Sequence, residues 1–198
     1  MYHFFLADDL PSALEVKSKT YQVLTSRGVM IKASDEHQYV RTDGLRTCVA
    51  FGIINPFDSS AMLIHFFNLK QVQNDLKLLA AQFIEQSSLD ETGVIIVIAG
   101  GREFFPGSVD MCDYLIKFAK EIAKKIPVTF RLTAPVVASD EETLSVQINL
   151  LTGDSDIAIN PSNIEADDYS IESIDSIIFT DMINEVEENK AVASCQLI

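Results

Sequence analysis

The chain has no apolar run long enough to cross a membrane. Its greasiest stretches, Val94 to Ile98 and Cys48 to Ile54, are strand-sized, far short of the ~18 residues a spanning helix needs. Cysteine is scarce: three in 198 residues, an odd number spread along the chain. That excludes a disulfide framework and makes a reducing compartment the simpler setting, with free thiols available for chemistry. No Cys or His pair has the spacing of zinc ligands, and Gly100-Gly101-Arg102 lacks the Lys-Ser/Thr ending of a phosphate-cradling loop, so neither a metal nor a cofactor is expected. Cations are also few, 15 Lys and Arg against 29 Asp and Glu for a formal charge of -14. Without basic clusters to meet phosphates, nucleic acid is not an expected partner. Met1 to Leu14 lacks a basic leading segment and carries Asp8 and Asp9 where a signal peptide would stay apolar, so export by that route is not expected. There is no internal repeat and no low-complexity tract.

What is present is a chain with 47% hydrophobic residues, long enough for one domain with an appendage and a proper core. The charge is lopsided. From Thr152 to Ile198 there are eleven acidic residues against Lys190 alone, which accounts for -10 of the -14. The body is nearly balanced and the tail is a separate electrostatic object.

Short strands and turns are predicted over the first forty residues: Tyr2 to Leu6, Tyr21 to Leu24 and Val29 to Lys32, with Ser26-Arg27-Gly28 as a turn. Thr47 to Asn55 and Ala61 to Phe67 are apolar runs joined by Asn55-Pro56-Phe57-Asp58-Ser59-Ser60, the pattern of an antiparallel pair. Val72, Leu76, Leu79, Ala80 and Phe83 mark one face of a helix from Lys70 to Gln86. A strand over Val94 to Ile98 runs into Ala99-Gly100-Gly101, and a second helix spans Ser108 to Lys125 with Ser108 as its cap. Strands at Val128 to Leu132 and Leu144 to Leu150 follow, closed by Thr152-Gly153. The expected fold is α+β: a mixed or antiparallel sheet sandwich with helices on an outer face. Residues 1–153 form the domain and 154–198 an acidic extension, partly helical over Tyr169 to Asn189, with a loose end from Ala191.

The chemistry-bearing candidates are Cys48 and His65, seventeen residues apart. A thiol is a strong nucleophile as thiolate, and a nearby imidazole lowers its pKa and carries its proton. The pair lies at the ends of the two runs farthest from their connecting loop, so an antiparallel hairpin brings them together. A lone Cys in an apolar run is more often core than nucleophile. His37, in Ser34-Asp35-Glu36-His37, reads as a solvated turn residue, His3 as structural, and Cys112 as buried on the second helix.

Thr42, Gly44, Leu45, Cys48, Val49 and Ala50 occupy positions that resemble, in identity and spacing, the signature of the CheD family, with Asn55-Pro56 standing for its Asp-Pro turn and His65 following Ala61-Met62. These are chemoreceptor glutamine deamidases, similar in fold and active site to the catalytic domain of the cytotoxic necrotising factor toxins. The Gly100-Gly101 pair after a central strand, and Ser145-Val146-Gln147-Ile148-Asn149 before a Thr-Gly turn, also resemble the family. The resemblance covers roughly Arg27 to Asp154. It implies a CheD-like fold and a catalytic triad of Cys48 as nucleophile, His65 as base and Thr42 as the residue orienting the imidazole. Arg46, Thr47, Gly100 and Gly101 are then expected at the substrate, though Gly100 and Gly101 fit a simple strand-to-loop turn equally well. The chain departs from the family in having Arg46-Thr47 where Gly-Ser precedes the Cys, and Phe66-Phe67-Asn68-Leu69 after His65.

The activity so implied is protein-glutamine deamidation on a protein substrate, in bacterial chemotaxis or as an effector in a host cell. A non-catalytic module with this fold, or another thiol hydrolase or acyltransferase, stands as the alternative. The chain is expected in the cytoplasm, or translocated into a host if it is an effector. The end, Cys195-Gln196-Leu197-Ile198, has the form of a prenylation signal without a polybasic patch beside it, so lipid attachment at Cys195 and a solubilising or partner-binding tail both remain open. The oligomeric state is not legible.

Overall fold

The computed structural model describes residues 4–6, 17–133, 142–161 and 177–182. Among the described residues, eleven strands and two helices follow one another as β1 (Phe4–Leu6), β2 (Thr20–Val23), β3 (Arg27–Lys32), β4 (Tyr39–Leu45), β5 (Val49–Asn55), β6 (Ser60–Phe66), α1 (Leu69–Gln86), β7 (Val94–Gly100), α2 (Pro106–Ile122), β8 (Val128–Thr133), β9 (Glu142–Asn149), β10 (Ser155–Pro161) and β11 (Ile178–Asp181). They form two mixed sheets, one ordered β1-β10-β9-β4-β2 and the other β11-β3-β6-β5-β7-β8. The fold is α+β, with the two sheets face to face and both helices on the outer face of the six-stranded sheet.

Alternation along the strands decides the layering, because successive side chains point to opposite faces. On β5 and β6, Val49, Phe51, Ile53, Met62, Ile64 and Phe66 meet Val72, Leu76, Phe83, Met111 and Leu115 of the helices. The intervening Ala50, Ile54, Ala61 and Leu63 meet Val40, Leu144, Val146 and Ile148 of the other sheet. Covered on both faces, these strands read as unbroken apolar runs. Phe51, Phe66 and Phe83 are fully buried, each worth about 2–3 kcal/mol relative to exposure. Gly52 faces the other sheet closely: a Cβ there would sit 3.3 Å from Ile148 Cδ1.

The β5–β6 hairpin is the predicted one, in register from Val49↔Phe66 to Asn55↔Ser60. Asn55 stabilises its turn by accepting from the Phe57 N–H at 3.0 Å. Four elements differ from expectation. Residues 39–45 form a full strand. The second helix starts at Pro106 behind an uncapped Phe105, so Ser108 lies inside it and its hydroxyl serves another purpose. Residues 154–198 are not wholly an appendage: β10 pairs antiparallel with β9 and buries Ile157 and Ala158. Within the helix read over Tyr169 to Asn189, residues 178–181 are a strand, β11, pairing parallel with β3; the remainder lies outside the described residues, apart from Ile177 and Met182.

Candidate active site

Thr42 is an inward-facing residue of β4, fully buried between the sheets. Just beyond it the ladder with β9 slips between Thr42 and Leu45, at a bulge where Gly44 takes φ +74 in open space. Glycine is needed there for backbone conformation rather than for room. Across the sandwich, His65 pairs with Ala50. Cys48 lies one residue before β5 and two before Ala50, and packs with Ala50 in the inter-sheet core.

Thr42 and His65 are joined across the two sheets, Oγ1 to Nδ1 at 2.8 Å. The direction follows from the second partner of the hydroxyl, since Thr42 Oγ1 donates to the Val23 carbonyl at 2.8 Å and has only one proton to give. Nδ1–H therefore donates to Oγ1, and Nε2 carries the lone pair. This tautomer is inferred from the hydrogen-bond network. Nε2 is buried and has no hydrogen-bond partner among the described residues. An unpaired buried acceptor is costly; the Cys48 thiol belongs to the same inter-sheet core but makes no hydrogen bond to it.

The electrostatics differ from the sequence expectation of a thiol acidified by its imidazole. Cys48 is only 7% exposed. Its thiol is pushed up to about 12 by burial, with a side-chain hydrogen bond to Thr47 acting the other way. His65 is lowered to about 4 by burial, partly countered by the negative charge of Asp43. Desolvation penalises each charged form, so the resting pair is neutral thiol and neutral imidazole. Asp43 is itself held by Arg41 at 2.7 Å and Gln22 at 3.0 Å.

The main chain around Cys48 is fixed by α2 and the end of β7. Ser108 Oγ donates to the Thr47 carbonyl at 2.6 Å, and the Gly101 N–H donates to the Cys48 carbonyl at 2.8 Å. The return bond from the Cys48 N–H to Gly101 is not formed among the described residues; Gly101 sits at φ +82, which ends the regular ladder. Gly100, at φ +102, has no space for a side chain, since a Cβ would lie 2.6 Å from the Cys48 carbonyl oxygen. A Cβ on Gly101 would come within 3.1 Å of Cys112 Sγ. These two glycines thus let β7 close on the backbone of Cys48, which is a packing role.

Arg46 is exposed and Thr47 part-exposed on the segment leading to Cys48. His37 stands apart, its ring edge-on to Tyr21 at 5.7 Å. Cys112 is buried in the core between the six-stranded sheet and the helices, and its thiol is raised to about 11 by burial and by Asp113. No group of three or more His, Cys, Asp or Glu among the described residues could hold a metal ion. His3 and Cys195 lie outside the described residues. Sequence reading missed Val23, Asp43, Ser26 and Gln71; the one available signal was Gln71, a polar residue beside the apolar stripe of α1. No known protein family and no curated protein matches the chain.

Proposed function

We propose that the protein is a thiol-dependent protein-glutamine deamidase. The observation that carries this reading is the Thr42–His65 hydrogen bond, which spans the two sheets and leaves an unpaired Nε2 on the face that Cys48 shares. Chemically, such an arrangement suits acyl transfer by a thiol with a general base. The match of Thr42, Cys48 and His65 to the CheD signature supports glutamine side chains as the acyl donors.

In the first step the Cys48 sulfur bonds to the side-chain amide carbon while His65 Nε2 takes the thiol proton. Because the resting pair is neutral, proton removal and attack are coupled. The imidazolium is stabilised by Nδ1–H on Thr42 and by the nearby Asp43 charge. The tetrahedral oxyanion is met by the Cys48 N–H, which is not spent on Gly101. The C–N bond then breaks, the imidazolium proton leaves with ammonia, and a thioester remains. Water, deprotonated by His65, attacks that thioester to give glutamate and restore the thiol. One water is consumed and one ammonia released. Arg46, at the rim, would contact the protein substrate. The setting is a reducing one, in a bacterium or in a host cell into which the protein is delivered.

Near-complete burial of the thiol favours a second reading, a non-catalytic module that binds a partner; such a module has no use for an oriented, unpaired imidazole nitrogen. Incubating the purified protein with a protein extract in ¹⁸O-water separates them. The deamidase reading expects glutamate residues carrying one heavy oxygen, dependent on Cys48. Their absence under all substrate mixtures, with Cys48 intact, favours the binding module.

A further inference from the structure

Gln71 lies in the first turn of α1 and is fully buried. Burying a primary amide is unfavourable unless its hydrogen bonds are made inside the protein, and each end of this one is engaged. Oε1 accepts from the Phe67 N–H at 2.9 Å. Nε2 donates to Ser26 Oγ at 2.9 Å. The backbone N–H of Gln71 is held by Asn68, the helix cap, at 3.0 Å.

Both amide bonds lead to His65. Phe67 is two residues beyond it and one step past Phe66, the last β6 residue in register with β5. Ser26 is buried, adopts φ +57, and donates its N–H to the His65 carbonyl at 3.0 Å. The ladder between β3 and β6 stops at Gly28↔Ile64. On that side, then, the main chain of His65 is held by Ser26 rather than by regular strand pairing. A strand end would ordinarily fray, and here one buried amide braces it from both directions.

We infer that Gln71 is a positioning residue for His65: by bracing Ser26 and Phe67 it holds the end of β6 so that Nδ1 meets Thr42 across the sheets and Nε2 stays on the face of Cys48. Its catalytic consequence rests on the deamidase reading, whereas its effect on the imidazole does not. The distinction from a merely structural residue is that loosening β6 here releases the ring. The Nδ1–H tautomer then loses its acceptor, and both tautomers become populated.

The test uses the full chain labelled with ¹⁵N-histidine, whose three histidines are assigned with His65→Ala. In the wild type, one ring shows the nitrogen shifts of a fixed Nδ1–H tautomer. Gln71→Met keeps the length and volume of the side chain but removes both amide bonds. The inference expects the folded variant to show mixed tautomers at His65. It also expects kcat to fall by about 10²-fold, the order expected for misplacing a catalytic group by ~1 Å, with KM within about threefold. Ser26→Gly is the second variant: it retains the N–H on His65 and suits a positive φ, while deleting the hydroxyl that Gln71 holds. It should show partial loss of the lock, and it decides the question if Gln71→Met does not fold. A folded variant of either kind with the wild-type tautomer spectrum overturns the inference, whatever its activity. If the wild type proves inactive on every protein tested but the lock still collapses in Gln71→Met, the positioning role stands and the deamidase reading fails.

Discussion

Raising the pH should speed alkylation of Cys48 without a plateau. The thiol is held at about 12 against an ordinary value of 9.0, so at a given pH below 9 its thiolate fraction is about 10³ smaller than that of a free thiol. A more basic thiolate is intrinsically more nucleophilic, with a Brønsted slope of about 0.4–0.5, which returns roughly a factor of 20–30. The net expectation is alkylation roughly 30- to 50-fold slower than in the unfolded chain at pH 8. The rate should climb about tenfold per pH unit from 6 to 10, as a small thiolate fraction does. His65, lowered to about 4, does not titrate in that window and adds no inflection. The assay is time-resolved peptide mass spectrometry after iodoacetamide, with the urea-unfolded chain as reference. A plateau below pH 8, with Cys48 reacting faster than in the unfolded chain, would show a preformed thiolate–imidazolium pair and refute the neutral resting state.

Three further outcomes are expected. Thr42→Val, which preserves shape but removes the acceptor for Nδ1–H, should lower kcat by 10²-fold or more, the scale of a general-base contribution, with little change in KM; a loss under threefold in steady-state kinetics contradicts the tautomer assignment. The unfolded chain takes up a proton at His65 near 6.5 that the fold refuses until about 4, so stability should fall as pH drops through that window, by up to about 3 kcal/mol. Urea midpoints that fall no more in the wild type than in His65→Gln would contradict it. Gly100→Ala, which sets a Cβ 2.6 Å from the Cys48 carbonyl at φ +102, should cost about 3 kcal/mol or more, whereas Gly44→Ala, with φ +74 in open space, should cost about 1–2 kcal/mol; equal urea midpoints would show that the approach of β7 to Cys48 is not tight.

The layers and the hairpin carrying Cys48 and His65 were legible because both faces of β5 and β6 are covered, so their apolar runs are unbroken, and because Asn55-Pro56 marks the turn. The helices were legible from their periodicity. Strand β4 was not read, since Arg41 and Asp43 interrupt the apolar alternation and Asp43-Gly44 looks like a turn where the structure has a bulge. Strand β10 was missed because Ile157 and Ile159 alternate among acids and Ser, in a stretch whose charge suggested an appendage. Thr42 is a candidate through family resemblance alone; that it reaches His65 depends on sheets packing face to face, which no local pattern encodes. The ionisation of the pair was misread for the same reason: proximity to an imidazole favours the thiolate, but burial opposes both charges and is a tertiary property. Gln71 escaped notice because a polar residue on a helix is ordinarily assigned to solvent.

The most direct test of the account is a proteome-wide comparison of cells expressing the wild type with cells expressing Cys48→Ala or His65→Ala at equal abundance, scored for Gln-to-Glu conversion. A small set of proteins should be converted at defined glutamines by the wild type and by neither variant. Conversions of equal extent with all three, or with none, would contradict it.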